Sequence, residues 1–116
     1  MEDIGLTATK QKRKSTLVLE LDGDLDVYTA PQLRGELGKA LADGGDMPVV
    51  LDLRNIGFID SAGLAALLWA KSARRESRFD FGVVVAPGSQ PEQVFRLAGL
   101  DSMVSVFQEP LQASRS

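Results

Sequence analysis

Val49-Val50-Leu51-Asp52-Leu53 is a nearly continuous apolar run, and such a run marks a strand covered on both faces. A short stretch later, Asp60-Ser61 begins a helical pattern that passes through Leu64, Leu67 and Leu68 toward Arg74-Arg75. The basic end suits the negative pole of a helix dipole. A buried strand feeding a helix is half of a βαβ unit, and the same alternation continues in both directions along the chain.

Upstream, Thr16-Leu17-Val18-Leu19-Glu20-Leu21 alternates, with Leu17, Leu19 and Leu21 on one face. Ile4 to Thr9 reads as a short preceding strand, which makes the basic cluster Lys10, Lys12, Arg13 and Lys14 a solvated turn between two strands. After Asp22-Gly23-Asp24-Leu25-Asp26, Thr29 and Gln32 form a T-x-x-Q capping box with Pro31 in the first turn. Leu33, Leu37, Ala40 and Leu41 then recur at helical spacing up to Gly44-Gly45. Downstream, Phe81 to Val85 is a second buried strand. Ser89 and Glu92 form another capping box, opening a helix expected to turn Val94, Leu97 and Ala98 inward and to stop at Gly99. Met103 to Phe107 closes as a short strand, and residues 110–116 form a polar, frayed tail.

The expectation is an α/β fold: one small domain over residues 1–116, ordered from about 4 to 107. Its central mixed sheet has four or five strands, with helices mainly on one side. A chain of 116 residues buries about two thirds of its unfolded surface, enough for a core without staples.

Composition excludes whole classes of chemistry. The chain has no cysteine and no histidine, so disulfides, thiolate sites, cysteine nucleophiles and the commonest general base and zinc ligand are absent. No Walker, dinucleotide-binding or G-x-S-x-G pattern occurs. Asp22, Asp24 and Asp26 have the opening spacing of a calcium loop, but Val27 and Leu33 stand where its Gly and Glu belong. No catalytic residue, cofactor or metal is expected. Net charge is −3, and the chain beyond residue 15 is acidic, unlike a surface for nucleic acid. No apolar run suits a signal peptide or a membrane span, so a cytoplasmic location is the default, with neither nucleic acid nor membrane as direct partner.

The segment Ile56-Gly57-Phe58-Ile59-Asp60-Ser61-Ala62-Gly63-Leu64 has two readings. Asp60 and Ser61 are both favoured N-caps, and Gly63 lets the first helical turn pack closely. Alternatively, the Ser61 hydroxyl is a phosphoacceptor, placed where free backbone N–H groups and the positive helix pole stabilise added negative charge. Asp22 to Asp26 is either a solvated turn or a carboxylate cluster beside Ser61. On the helical wheel Leu64, Leu67 and Leu68 fall together, leaving Ala62, Ala65, Ala66, Trp69 and Ala73 opposite. Trp69 is then either covered by a neighbouring element or the aromatic anchor of a protein-binding patch.

Gly23-Asp24-Leu25-Asp26 together with Phe58-Ile59-Asp60-Ser61-Ala62-Gly63-Leu64 resembles the STAS domain of bacterial anti-sigma factor antagonists, in element order from about Ile4 to Phe107. The resemblance implies a non-enzymatic switch. Unphosphorylated, such a protein binds an anti-sigma factor that is also a serine kinase, and so frees a sigma factor. Phosphorylation ends binding, and a serine phosphatase resets the cycle. Carried onto this chain, the phosphoacceptor is Ser61 and the partner-binding residues are Asp24, Asp26, Asp60, Ser61 and Gly63. Trp69 joins them from the wheel alone. Ala62 departs from the Ser or Thr common at that place. The competing readings are a constitutive STAS adaptor in a signalling or transport assembly, and a small enzyme or nucleotide-binding protein.

Overall fold

Thr16–Leu25 forms the strand around which the other elements are arranged (β2). Leu17, Leu19, Leu21 and Leu25 point to one face and are buried, as the two-residue period of a strand requires. In the computed structural model, residues 5–13, 15–44, 47–73, 81–100 and 104–108 are described. Among them are five strands and three helices in the order β1 (Thr7–Arg13), β2, α1 (Ala30–Gly44), β3 (Val49–Ile59), α2 (Ser61–Ala73), β4 (Phe81–Val84), α3 (Gln90–Leu97) and β5 (Ser105–Phe107). The sheet order is β1-β2-β3-β4-β5. β1 is antiparallel to β2 and the remaining neighbours are parallel, so the sheet is mixed. Successive parallel strands lie side by side, and crossovers of one hand then put every helix on the same face. Side chains from all three helices, including Leu33, Leu37, Leu67, Ala70 and Phe95, join the strand residues in one core. The opposite face carries a small cluster of Val18, Val50 and Val84 with Phe107, and a buried Asp52 held bidentately by Arg54 at 2.8–2.9 Å.

Several elements differ from the sequence expectation. β1 is displaced toward the C-terminus, so Lys10, Lys12 and Arg13 lie in the strand and not in a turn. They line the sheet's outer edge, where charge discourages further strand pairing, and Lys10 forms an ion pair with Asp43. β3 is more than twice its expected length, running from Val49 to Ile59. Its register against β2 jumps between Glu20 and Asp22, and again between Gly23 and Asp24. β3 therefore spends eleven residues against nine of β2, and its helix-facing buried positions step 49, 51, 53, 56, 59. Each jump is a bulge that inserts one residue and breaks the two-residue alternation.

The first capping box does not form. Thr29 N–H donates to Asp26 Oδ1 at 3.0 Å, while the Gln32 amide bonds Leu6 N and O at 3.2 and 2.5 Å. The second forms by half: Glu92 N donates to Ser89 Oγ at 3.2 Å, but the Glu92 carboxylate accepts from Gly88 N. α3 turns Pro91 and Phe95 inward, and Leu97 is 84% exposed. Gly99 ends it with φ +71°, as expected of a C-terminal glycine. In α2 the inward stripe is Gly63, Ala66, Leu67 and Ala70, with Leu64 and Leu68 only partly buried. Ala66 is therefore not on the outer face. The expectations for Ile4, Lys14, Gly45, Arg74-Arg75, Met103 and the tail from 110 fall outside the described residues.

Small residues face the sheet because α2 lies very close to it. A Cβ on Gly63 would sit 2.8 Å from Leu25 Cβ and well inside contact distance of the Leu25 carbonyl oxygen. Backbone cannot yield as a side chain can, so Gly63→Ala should destabilise the domain by about 3 kcal/mol or more. Gly38, also helical, has open space around its Cβ position. There Ala should stabilise by up to about 1 kcal/mol. Urea unfolding of the two variants checks both signs.

Candidate functional site

The parallel ladder between β2 and β3 runs to Leu25 opposite Ile59, which brings the two strand ends and their following turns side by side. The ladder closes with Asp60 N donating to Leu25 O at 3.0 Å. In open α/β sheets the crevice beyond the carboxyl ends of the strands is where binding sites collect.

The β2 turn is tied together by its own side chains. Asp26 Oδ1 accepts from Tyr28 N and Thr29 N, each at 3.0 Å. The buried Thr29 hydroxyl donates to Asp24 O at 2.8 Å, and Asp26 N donates to that hydroxyl at 3.0 Å. Asp26 is thus committed to shaping the turn, an Asx arrangement that leads directly into α1. Asp24 lies exposed opposite Phe58. Its carboxylate would stand 3.3 Å from a Cβ on Gly57, so the absence of a side chain there leaves it room.

The β3 turn is a single residue long. Asp60 is the N-cap of α2, its Oδ1 accepting from Ala62 N at 2.9 Å and Gly63 N at 3.0 Å. Ser61 is the first helical residue and is exposed. The sequence expectation that the amides beside Ser61 are free is corrected here: the Asp60 carboxylate occupies those of Ala62 and Gly63. Negative charge added to Ser61 Oγ would therefore find two of the first-turn N–H donors already taken.

Ser61, Ala65 and Trp69 follow one another at four-residue steps and are all exposed, which puts Trp69 about 12 Å along the helix from Ser61 and about 80° around it. Trp69 is 41% exposed, and the Arg34 guanidinium of α1 covers it at 5.6 Å from the ring centroid. The indole is thus neither wholly covered nor wholly free. Three further apolar side chains, which sequence reasoning left out, are open on the two turns and the strand end. Tyr28 is 88% exposed, and Val27 and Phe58 are also open. The signal for the first two was available: an apolar pair interrupts an otherwise polar turn between Asp26 and Thr29. The site therefore combines Asp24, Asp60, an exposed serine and open aromatic surface. Among the described residues, no cluster of three potential metal ligands occurs, and no helix is long and apolar enough to cross a membrane.

The family model described as "Mlab, STAS domain" matches residues 8–105. The anti-sigma-F factor antagonist RsfB of Mycobacterium tuberculosis is 33% identical over 102 residues, covering 88% of this chain and 81% of that protein. The fold is similar to the crystal structure of an anti-sigma factor antagonist from Mycobacterium paratuberculosis. That likeness has a TM-score of 0.86 at 24% identity, over 98% of this chain and 95% of that one. The Bacillus cell fate determinant SpoIIAA, solved in its phosphorylated form, matches with a TM-score of 0.60 at 20% identity, over 94% and 98% of the two chains.

The cap geometry yields a measurable expectation. Asp60→Ala removes the acceptor for two helix N–H groups and should cost about 1 kcal/mol of stability, whereas Asp60→Asn should cost a few tenths. Chemical denaturation followed by circular dichroism distinguishes them.

Proposed function

This chain belongs to the STAS domain family, and from that footing we propose that it is an anti-sigma factor antagonist switched by phosphorylation at Ser61. Its unphosphorylated form binds an anti-sigma factor that is also a serine kinase, so that a sigma factor is freed. Transfer of phosphate to Ser61 Oγ ends binding, and a serine phosphatase restores the free hydroxyl. The protein acts in the cytoplasm by docking, with no turnover of its own. The observation that carries this reading is the placement of Ser61. Its hydroxyl stands exposed on the first turn of α2, immediately after the capping Asp60 and beside the β2 turn.

The docking face comprises Asp24, Asp60, Ser61 and Trp69, with Tyr28 and Val27 on the adjoining turn; Asp26 and Gly63 hold the two turns in place. Aromatic side chains that are open yet rigidly based are the usual energetic centres of protein interfaces. A phosphoserine adds about −1.5 to −2 charges at neutral pH. At about 5 Å from one partner carboxylate, an effective dielectric near 20 gives roughly 3 kcal/mol of repulsion per unit charge. Half of that already weakens binding more than tenfold. Because Asp60 holds the neighbouring amides, the phosphate is directed outward, and the switch works by charge and bulk at the interface with the domain still folded.

The test is phosphate transfer from ATP by each serine-kinase anti-sigma factor of the host. Wild type should incorporate one phosphate and leave its partner, while Ser61→Ala should incorporate none and stay bound. Ser61→Glu should bind at least tenfold more weakly than wild type. Trp69 is the sole tryptophan, so its emission should change on docking, and Trp69→Ala should weaken binding. Incorporation that persists in Ser61→Ala would reject the assignment. No incorporation by any candidate kinase would favour the constitutive adaptor.

A further inference from the structure

β4 accompanies β3 only as far as Asp52 opposite Val84. Beyond that point the ladder on β3's outer side is lost, while β2 continues to pair on its inner side as far as Ile59. Strand edges left in this way expose amide and carbonyl groups that need partners. At Ile59 one side chain supplies both: Gln90 Oε1 accepts from Ile59 N at 2.9 Å, and Gln90 Nε2 donates to Ile59 O at 3.0 Å. A single planar amide thus substitutes for a strand residue where β4 has ended.

Gln90 is itself firmly based. It is the first residue of α3, whose cap Ser89 accepts from Glu92 N and donates to Ala86 O at 2.6 Å. Pro91 and Phe95 anchor the helix in the core. On the other side of the segment, Asp60 N is held by Leu25 O. The two residues before Ser61 are therefore clamped between α3 and β2, and the capping carboxylate of Asp60 follows directly from the clamp.

We infer that Gln90 is a positioning residue for the acceptor serine. By bonding both backbone groups of Ile59 it fixes the direction in which the chain enters α2, and so the place of Ser61 Oγ. This rests on the reading of Ser61 as phosphoacceptor. Phosphoryl transfer needs the nucleophile in line with the donor, and small displacements there are costly. A purely structural hydrogen bond would lower stability everywhere alike, whereas a positioning bond acts on its own turn.

Gln32 provides a matched control, because its amide makes the same pair of bonds to Leu6 and touches neither β3 nor α2 in doing so. Amide hydrogen exchange of the full chain in D2O, read by NMR, compares Gln90→Ala with Gln32→Ala. In Gln90→Ala the amides of Ala62 and Gly63 should exchange about tenfold faster than the change in β2 core amides accounts for. Gln32→Ala should show no such local excess. With the host kinase that modifies wild type, Gln90→Ala should lose about tenfold in kcat/KM, and Gln32→Ala less than twofold. If Gln90→Ala does not fold, Gln90→Met keeps the volume without donor or acceptor. Ala62 and Gly63 amides that move no more than those of β2 would overturn the inference. A wild type that takes no phosphate would overturn the phosphoacceptor reading instead, and the exchange comparison would still decide whether Gln90 orders the turn.

Discussion

The close approach of α2 to the end of β2 governs the architecture of the site. Gly63 lies so near the Leu25 carbonyl that no other residue type leaves the helix where it is. That contact holds the first turn of α2 over the β2 terminus, and Ala66 and Ala70 share the rest of the inward stripe with Leu67. It also fixes which turns meet. With Leu25 opposite Ile59, the Asp24–Asp26 end and the Asp60–Ser61 end become neighbours although more than thirty residues separate them in sequence. The exposed side chains of the two turns are thus positioned by a backbone contact in which they take no part.

Within that frame each carboxylate has a different task. Asp26 spends an oxygen on its own turn, and Asp60 spends one on the helix amides. Asp24 remains on the surface. Two amides of the α2 N-terminus are consequently already held by a resident carboxylate, so charge placed on the neighbouring hydroxyl gains less from within the domain. A group that is poorly held by its own protein is well suited to altering what another protein meets there.

Much of this was readable in the chain. Leu33, Leu37 and Ala40 are the buried face of α1 as their spacing implies, and Asp60-Ser61 marks the start of α2 because cap chemistry is local. What escaped depended on tertiary geometry. β3 ended too early in the sequence reading because its bulges turn a two-residue rhythm into steps of three through Ile56 and Ile59. α2 was rotated because leucines dominate a helical wheel, while close packing rewards Gly63, Ala66 and Ala70 instead. In α3, Phe95 outweighed Leu97 for the core. Gln32 matched a capping pattern, but its bonds are to Leu6, just before β1 and 26 residues away in sequence. Gln90 had no pattern at all, since nothing local announces that β4 will stop short of β3.

The basic residues of β1 have a bearing beyond the fold. β1 is the outermost strand of an otherwise parallel series, and its free side carries Lys10, Lys12 and Arg13. Two copies approaching edge to edge would set these like charges against one another, and charge at a strand edge opposes sheet extension. That edge is thereby a poor template for a second copy of the same strand.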